Sequence, residues 1–275
     1  MNIRLVTDRP GHPVLARTAA ELATRSRVRI LDSSDLPSFE VEVRAELSQI
    51  ADVYLLRSHV PAVVALVSTL EAAGALVINP CGATAVCADR AELTSRAEAA
   101  GLPWPRTLSL GDLRTTLADP DGLSQLSYPL VVKSRLSRRD DLVRRVASIG
   151  QLVELAVAWQ GEPVIVQEYL DNDEVDRKLY VVDDRVFGVS CTSPLSADTP
   201  RAREEIAISP AWRDLVLEVG RLLGLSVYGV DIILAPGGPT IVDVNAFPGF
   251  RGVPGACDAL VAMVERLAPG KVTTA

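Results

Sequence analysis

Apolar positions along the first 80 residues recur at two spacings, one of strand length and one of helical period. Ile3–Thr7 reads as a strand, and Val14, Leu15, Ala19, Leu22 and Ala23 form a helical stripe entered through Pro13. Val28–Leu31 and Val53–Leu56 are further strands. Pro61 opens a helix with Val63, Val64, Leu66, Val67 and Leu70 inward, Gly74 ends it, and Leu76–Ile78 is a fourth strand. This alternation predicts an open α/β layer with a mostly parallel sheet. Ligands of such sheets sit beyond the C-terminal strand ends. Those ends carry Asp8-Arg9, Asp32, Arg57-Ser58-His59 and Asn79-Pro80. No GxGxxG follows the first strand, so the dinucleotide fingerprint is missing.

The rest of the chain is mixed. Asp89 is an N-cap candidate with Glu92 three residues on, as in a capping box, and Gly101, Pro103 and Pro105 stop that helix. Leu113–Ser127 is weakly patterned, with a helix ending at Asp119-Pro120. Strands are predicted at Tyr128–Lys133, Val143–Val146 and Val164–Leu170, with a helix near Gln151–Trp159. Lys178–Val182 and Val186–Ser190 flank Asp183-Asp184 as a hairpin. Ser209-Pro210 starts a helix with Trp212, Leu215, Val216, Val219 and Leu222 inward, closed by Gly224. A last helix runs from about Gly255 to Leu267, before a loose six-residue tail. The expected domains are 1–88, 89–168 and 169–275.

Composition narrows the partners. The chain has 275 residues, 48% of them hydrophobic, enough for two or three small cores. A net charge of −7 argues against general nucleic-acid binding and against attraction to anionic membranes. Aromatics at 4% make base stacking a poor expectation. Four cysteines without CxxC spacing and two histidines argue against zinc or a disulfide scaffold. No signal-type segment and no 18-residue apolar run is present, so a soluble cytoplasmic protein is expected, as a monomer or a homo-oligomer.

The chemistry concentrates near the C-terminus. Val230-Asp231-Ile232-Ile233 and Ile241-Val242-Asp243-Val244-Asn245 flank a Pro/Gly turn, as a hairpin. Asp243 and Asn245 share a strand face. A five-residue loop, Ala235 to Pro239, would set Asp231 opposite Asp243. Two carboxylates and a carboxamide oxygen suit a hard cation such as Mg²⁺. The bland alternative is that Asp243 and Asn245 begin a turn before Pro248.

The order of pieces resembles the ATP-grasp superfamily over nearly the whole length. The matching pieces are Val77-Ile78-Asn79-Pro80, Asp89-Arg90, Pro129-Leu130-Val131-Val132-Lys133, Gln167-Glu168-Tyr169-Leu170, Asp176-Arg177-Lys178, Val230-Asp231 and Asp243-Val244-Asn245. Within it the chain is most similar to the carboxylate–amine ligases of the RimK-like group. The inositol-trisphosphate kinases share Asn245-Ala246-Phe247-Pro248-Gly249 as well. The resemblance implies an ATP-grasp fold, with an N-terminal α/β pre-domain and two α+β lobes that sandwich ATP. It implies Mg-ATP and small-molecule or peptide carboxylate and amine substrates, joined through an acyl phosphate.

The resemblance also assigns roles. Lys133 would reach a phosphate, against the alternative of a snorkelling surface lysine. Gln167 and Glu168 would lie beside the adenine, with unpaired backbone groups of Tyr169 and Leu170 on its edge. Glu174 or Asp176 would take the ribose hydroxyls. Lys178 and Arg203 would meet the γ-phosphate, although Arg203 also reads as a solvated surface charge. Asp231, Asp243 and Asn245 would hold the metal. Arg57, Gly249 and Arg251 would bind the acceptor carboxylate, or Arg57 would form a structural ion pair. Two departures stand out. Arg90 replaces the family's usual lysine, and the loop Ser134–Asp141, usually glycine-rich over the phosphates, has no glycine. Arg135, Arg138 and Arg139 would supply donors there, or Asp140 and Asp141 would neutralise them. A small-molecule kinase and a non-catalytic nucleotide-binding regulator are the other functional readings.

Overall fold

The computed structural model describes residues 1–117, 123–138, 140–196 and 203–267. The first layer follows the sequence pattern. β1 (Asn2–Thr7), α1 (Pro13–Ala23), β2 (Arg27–Asp32), α2 (Leu36–Glu46), β3 (Val53–Arg57), α3 (Pro61–Ala72) and β4 (Val77–Ile78) build a parallel sheet of order β2-β1-β3-β4. The run of four fully buried residues in β3 marks the sheet centre. Helix α2 escapes the sequence reading because its apolar face is thin, with Phe39 and Val43 buried but Val41 exposed. Asp35 caps it by accepting from Ser38 N.

Two helices follow, α4 (Cys81–Ala88) and α5 (Arg90–Ala99). Asp89 caps α5, accepting from Ala91 N at 3.0 Å and Glu92 N at 3.4 Å. The capping box is only half made, because the Glu92 carboxylate pairs with Arg96 instead. Leu93 and Ala97 of α5 pack with Leu179, Val181 and Val230, in the core of the C-terminal sheet. The linker helix thus shares its core with residues beyond the small lobe.

β5 (Thr107–Asp112), α6 (Leu113–Leu117), β6 (Leu130–Ser134), β7 (Val143–Val146), α7 (Ile149–Ala158) and β8 (Pro163–Glu168) form the small lobe, with sheet order β5-β8-β6-β7. β5 was not expected, since Gly111 and Pro105 mask its pattern. The expected helix end at Asp119-Pro120 lies outside the described residues, as do Arg139 and the tail from 268.

β9 (Val175–Val182), β10 (Arg185–Thr192), β11 (Glu204–Glu205), α8 (Pro210–Leu223), β12 (Val227–Ala235), β13 (Gly238–Ala246) and α9 (Ala256–Arg266) complete the chain, with sheet order β11-β10-β9-β12-β13. In α8 the buried stripe is Val216, Val219, Gly220 and Leu223. Leu222, expected inward, is 40% exposed, since Gly220 and Leu223 take the inward places of the last turn. Asn79, at a first-sheet strand end, is no ligand group. It is fully buried, donates to Val227 O and accepts from Ser226 N and Val227 N, tying the first sheet to β12.

Candidate active site

The β12–β13 hairpin does place Asp231 opposite Asp243, by another route than expected. Ala235 pairs with Gly238, so the turn is two residues, not five. A two-residue turn alone would set Asp231 against Val242. A β-bulge between Asp231 and Ile232 absorbs Val242 and restores the pairing. The Val242 carbonyl then accepts from Lys133 Nζ at 2.8 Å, joining β6 of the small lobe to the C-terminal sheet.

Each carboxylate has a resident cation. Lys178, facing Asp231 across β9–β12, forms an ion pair with it. Arg90, 5% exposed, donates to Asp141 at 2.6 Å, to the Ser134 carbonyl at 2.9 Å and to Asp243 at 3.4 Å. Burial disfavours both cations, and their acidic neighbours outweigh it, so both are held in the charged form. Lys133 has the opposite balance: burial dominates over Asp243 and lowers its ammonium to about 8. Burial likewise raises the Asp176 carboxyl, with Asp231 adding repulsion against Lys178. Asn245 projects from the same strand as Asp243, and its carboxamide has no hydrogen-bond partner among the described residues. Two carboxylates aligned across a ladder, with an amide oxygen on the same strand face, are a donor set that fits a hard divalent cation.

Two cavities meet here. The first lies between the small lobe and the C-terminal sheet. Val131, Lys133, Gln167 and Glu168 line it on one side, Asp176, Lys178, Asp231 and Asp243 on the other. Tyr169, Leu170 and Asn172 close its edge. Val131 and Lys133 share a face by strand parity, and Gln167 pairs with Val131. Gln167 donates to Thr107 Oγ1 at 2.9 Å. The expectation of free backbone groups at 169–170 needs correction. Tyr169 N–H donates to the Pro129 carbonyl at 3.1 Å, whereas Leu170 N–H has no partner among the described residues. Arg145 stacks over the Tyr169 ring at 4.0 Å. Glu174 accepts from Ser196 Oγ at 2.5 Å and stands 3.9 Å from Arg145, outside the cavity lining, unlike Asp176.

The second cavity, about 620 Å³, opens between the first sheet's strand ends and the C-terminal sheet. Arg9, Arg57, Arg203, Asn245 and Gly249 line it, and Lys178 and Asp231 line both cavities. Arg57 does make the structural pair, with Asp8 at 3.0 Å. Its Nε stays buried without a partner, and burial lowers its charge preference despite Asp8. Arg203 is not a free surface charge: it donates to the Arg251 carbonyl at 2.7 Å and to Tyr180 Oη at 3.2 Å. Arg251 itself is exposed and contributes that carbonyl. Gly249 leaves room for a ring: a Cβ there would meet His12 Nε2 at 2.9 Å.

The glycine-free loop is strapped down. Arg135 grips Asp89 with two nitrogens, Ser137 N donates to Ala88 O, and Leu136 bridges Asp89. Arg138 pairs with Glu162 at 2.6 Å and lines the second cavity, not the first. The side chains of Arg135 and Arg138 are thus paired with Asp89 and Glu162, while Asp141 holds Arg90 and accepts from Arg138 N–H at 3.4 Å.

His12 escapes the sequence reading, and His59 enters it only as part of a strand end, with no role assigned. Burial, then neighbouring arginines, lowers His12; burial also lowers His59, whose Nε2 meets the Ala246 carbonyl. Their signal was position: His59 follows a strand end, and His12 precedes the proline opening α1.

Residues 121–264 match the model of the RimK-like ATP-grasp domain, over half of the chain. A probable alpha-L-glutamate ligase of Xanthomonas campestris is 29% identical over 213 residues, covering 72% of this chain and 70% of that protein. A coenzyme gamma-F420-2:alpha-L-glutamate ligase of Methanococcus maripaludis is 25% identical, covering 68% of each. The crystal structure of D-alanine–D-alanine ligase from Bacillus anthracis superposes with a TM-score of 0.73 at 18% identity, over 97% of this chain and 96% of that one. A parallel first layer, two lobes closing on a shared cavity and this match together make the chain a member of the RimK-like ATP-grasp family and an ATP-grasp ligase.

Proposed function

We propose that this chain joins a carboxylate to an amine at the expense of ATP. One observation carries the reading: Lys178 and Asp231 line both cavities at once. Phosphate held in the first cavity therefore lies beside an acceptor held in the second. The proposed nucleotide contacts are Lys133, Lys178 and Arg90 for phosphates, Leu170 N–H for the adenine edge beside Gln167, Glu168 and Tyr169, and Asp176 or Glu174 for the ribose. The proposed units are the first layer (1–88), the linker and small lobe (89–168) and the C-terminal lobe (169–275).

Asp231, Asp243 and Asn245 would hold Mg²⁺, which neutralises phosphate oxygens when bound. In the reaction, the acceptor carboxylate attacks the γ-phosphorus and the bond to ADP breaks. The amine then attacks the acyl carbon, its proton leaves, and phosphate departs as the amide forms. The chain's part is placement and charge. Lys178, kept protonated by Asp231, faces the transferring group as a cation rather than a base. Arg57, Arg203 and the Gly249 backbone, which line the second cavity, orient the acceptor carboxylate, and the Arg251 carbonyl holds Arg203 in place. The relatives' names suggest glutamate as the amine.

The test is phosphate release from Mg-ATP by purified protein with paired acids and amines. Release that needs both an acid and an amine supports a ligase. Release with a polyol instead points to a kinase, and binding of ATP without release to a regulator.

A further inference from the structure

We infer that the acceptor of this ligase is a carboxylic acid carrying an apolar body, gripped between Val60 and Leu136. The inference rests on the ligase reading for the identity of the cavity as an acceptor site. Its own basis is separate. Val60 is 49% exposed and Leu136 41% exposed, and both line the second cavity although they belong to different parts of the fold. Val60 stands on the first layer and Leu136 on the strap after β6.

Neither side chain can retreat. Val60 is the N-cap of α3, extended at ψ 119 ahead of Pro61, with its N–H donated to Ser58 Oγ. Leu136 is pinned by its bridge to Asp89 and by the flanking Arg135–Asp89 and Ser137–Ala88 contacts. The backbone therefore holds two large aliphatic groups in water in the lining of one cleft. Pro61 and Pro248 extend the same lining. Isolated exposed aliphatics need no explanation, but two converging on one cleft mark a surface awaiting a partner.

The polar floor fixes how that partner lies. Arg9, Arg57 and Arg203 sit in the same cavity beside Gly249, and Lys178 leads to the first cavity. An anionic head directed at the arginines, towards Lys178, leaves the body of the molecule against Val60 and Leu136. At about 620 Å³ the cleft is in the range that encloses a ligand larger than one amino acid. Arg138 also lines the cleft but is already paired with Glu162, so a second carboxylate on that body would lose hydration and meet only a cation that has its partner.

The experiment compares N-acetylglycine, N-acetyl-leucine and N-acetylglutamate by calorimetry, on the full chain loaded with Mg²⁺ and a non-hydrolysable ATP analogue. N-acetyl-leucine should bind roughly tenfold or more tightly than N-acetylglycine, from burial of four carbons, and more tightly than N-acetylglutamate. The Val60→Ser/Leu136→Ser double variant should erase that preference while its affinity for the ATP analogue stays unchanged. Equal binding of the three acids, tighter binding of N-acetylglutamate, a preference surviving in the double variant, or no binding of any acid each overturns the inference. Phosphate release with N-acetyl-leucine and glutamate is measured alongside. Preferential binding without release would leave the apolar subsite standing and remove the ligase reading.

Discussion

Lys133 shows how one buried group sets a pH dependence. Its Nζ donates to the Val242 carbonyl, and burial lowers its pKa from 10.5 to about 8. Below about 8 folded and unfolded chains both hold this proton. Between 8 and 10.5 the folded chain has lost it and the unfolded chain has not, so this group's contribution to stability rises with pH across that window. Phosphate wants the charged form, so ATP affinity should fall as pH rises through about 8. Lys133→Met should weaken ATP roughly tenfold or more at neutral pH and abolish that pH dependence, as titration calorimetry at several pH values will read. Asp243 is the second test. Asp243→Asn keeps the shape and removes the charge, and Arg90 retains Asp141 and the Ser134 carbonyl. The fold should survive by thermal unfolding, while turnover at saturating Mg-ATP drops by roughly a hundredfold or more. Near-normal turnover would exclude Asp243 from the metal site.

Among the elements, the strap between β6 and β7 differs most from what the resemblance implies. Without glycine it cannot bring bare amides over a phosphate, and it is instead fastened to the start of α5. Asp89 does two jobs there, capping α5 and holding Arg135. Asp89→Ala should cost about 1–2 kcal/mol in urea unfolding, nearly all of it from the cap. The ion pair adds little because Arg135 is half exposed. Helix α8 offers a steric test. A Cβ on Gly220 would stand 2.2 Å from Tyr228 Oη, which donates to Val216 O within the same helix. Gly220→Ala should therefore destabilise by about 1–3 kcal/mol, despite alanine's better helix propensity. A stabilised variant would show that Tyr228 yields easily.

At the scale of the whole molecule, the first layer and the C-terminal sheet act as one support for the second cavity. Asn79 is the bolt, with three hydrogen bonds of 2.6 to 2.9 Å to residues 226 and 227. Phe247, Phe250 and the α9 residues Leu260 and Val264 share a core with Ile3, Leu5 and Leu15. Asn79→Ala leaves buried backbone groups without partners and should cost roughly 2–4 kcal/mol by urea denaturation. The same variant should raise the KM for the acceptor more than that for ATP, because the second cavity, not the first, spans this joint. Equal effects on both would mean that the joint supports the lobes alike.

Local periodicity was sufficient for most elements and for the order of motifs. Strand parity put Asp243 beside Asn245 and Val131 beside Lys133, because side chains alternate wherever a strand forms at all. Prolines and glycines marked helix ends at Pro13, Pro61, Gly74, Pro210 and Gly224, because φ restrictions act within a residue or two. Elements with weak amphipathy, α2, α4 and β5, left no such trace. Only the tertiary structure decided which charges meet. The bulge at Val242, the pairing of Lys178 with Asp231 and Arg90 with Asp243, and the use of Tyr169 N–H by Pro129 all join residues distant in the chain or depend on ladder register. Those contacts are set by how three sheets pack. No local rule reaches from residue 90 to residue 243, or brings Val60 and Leu136 to the lining of one cleft.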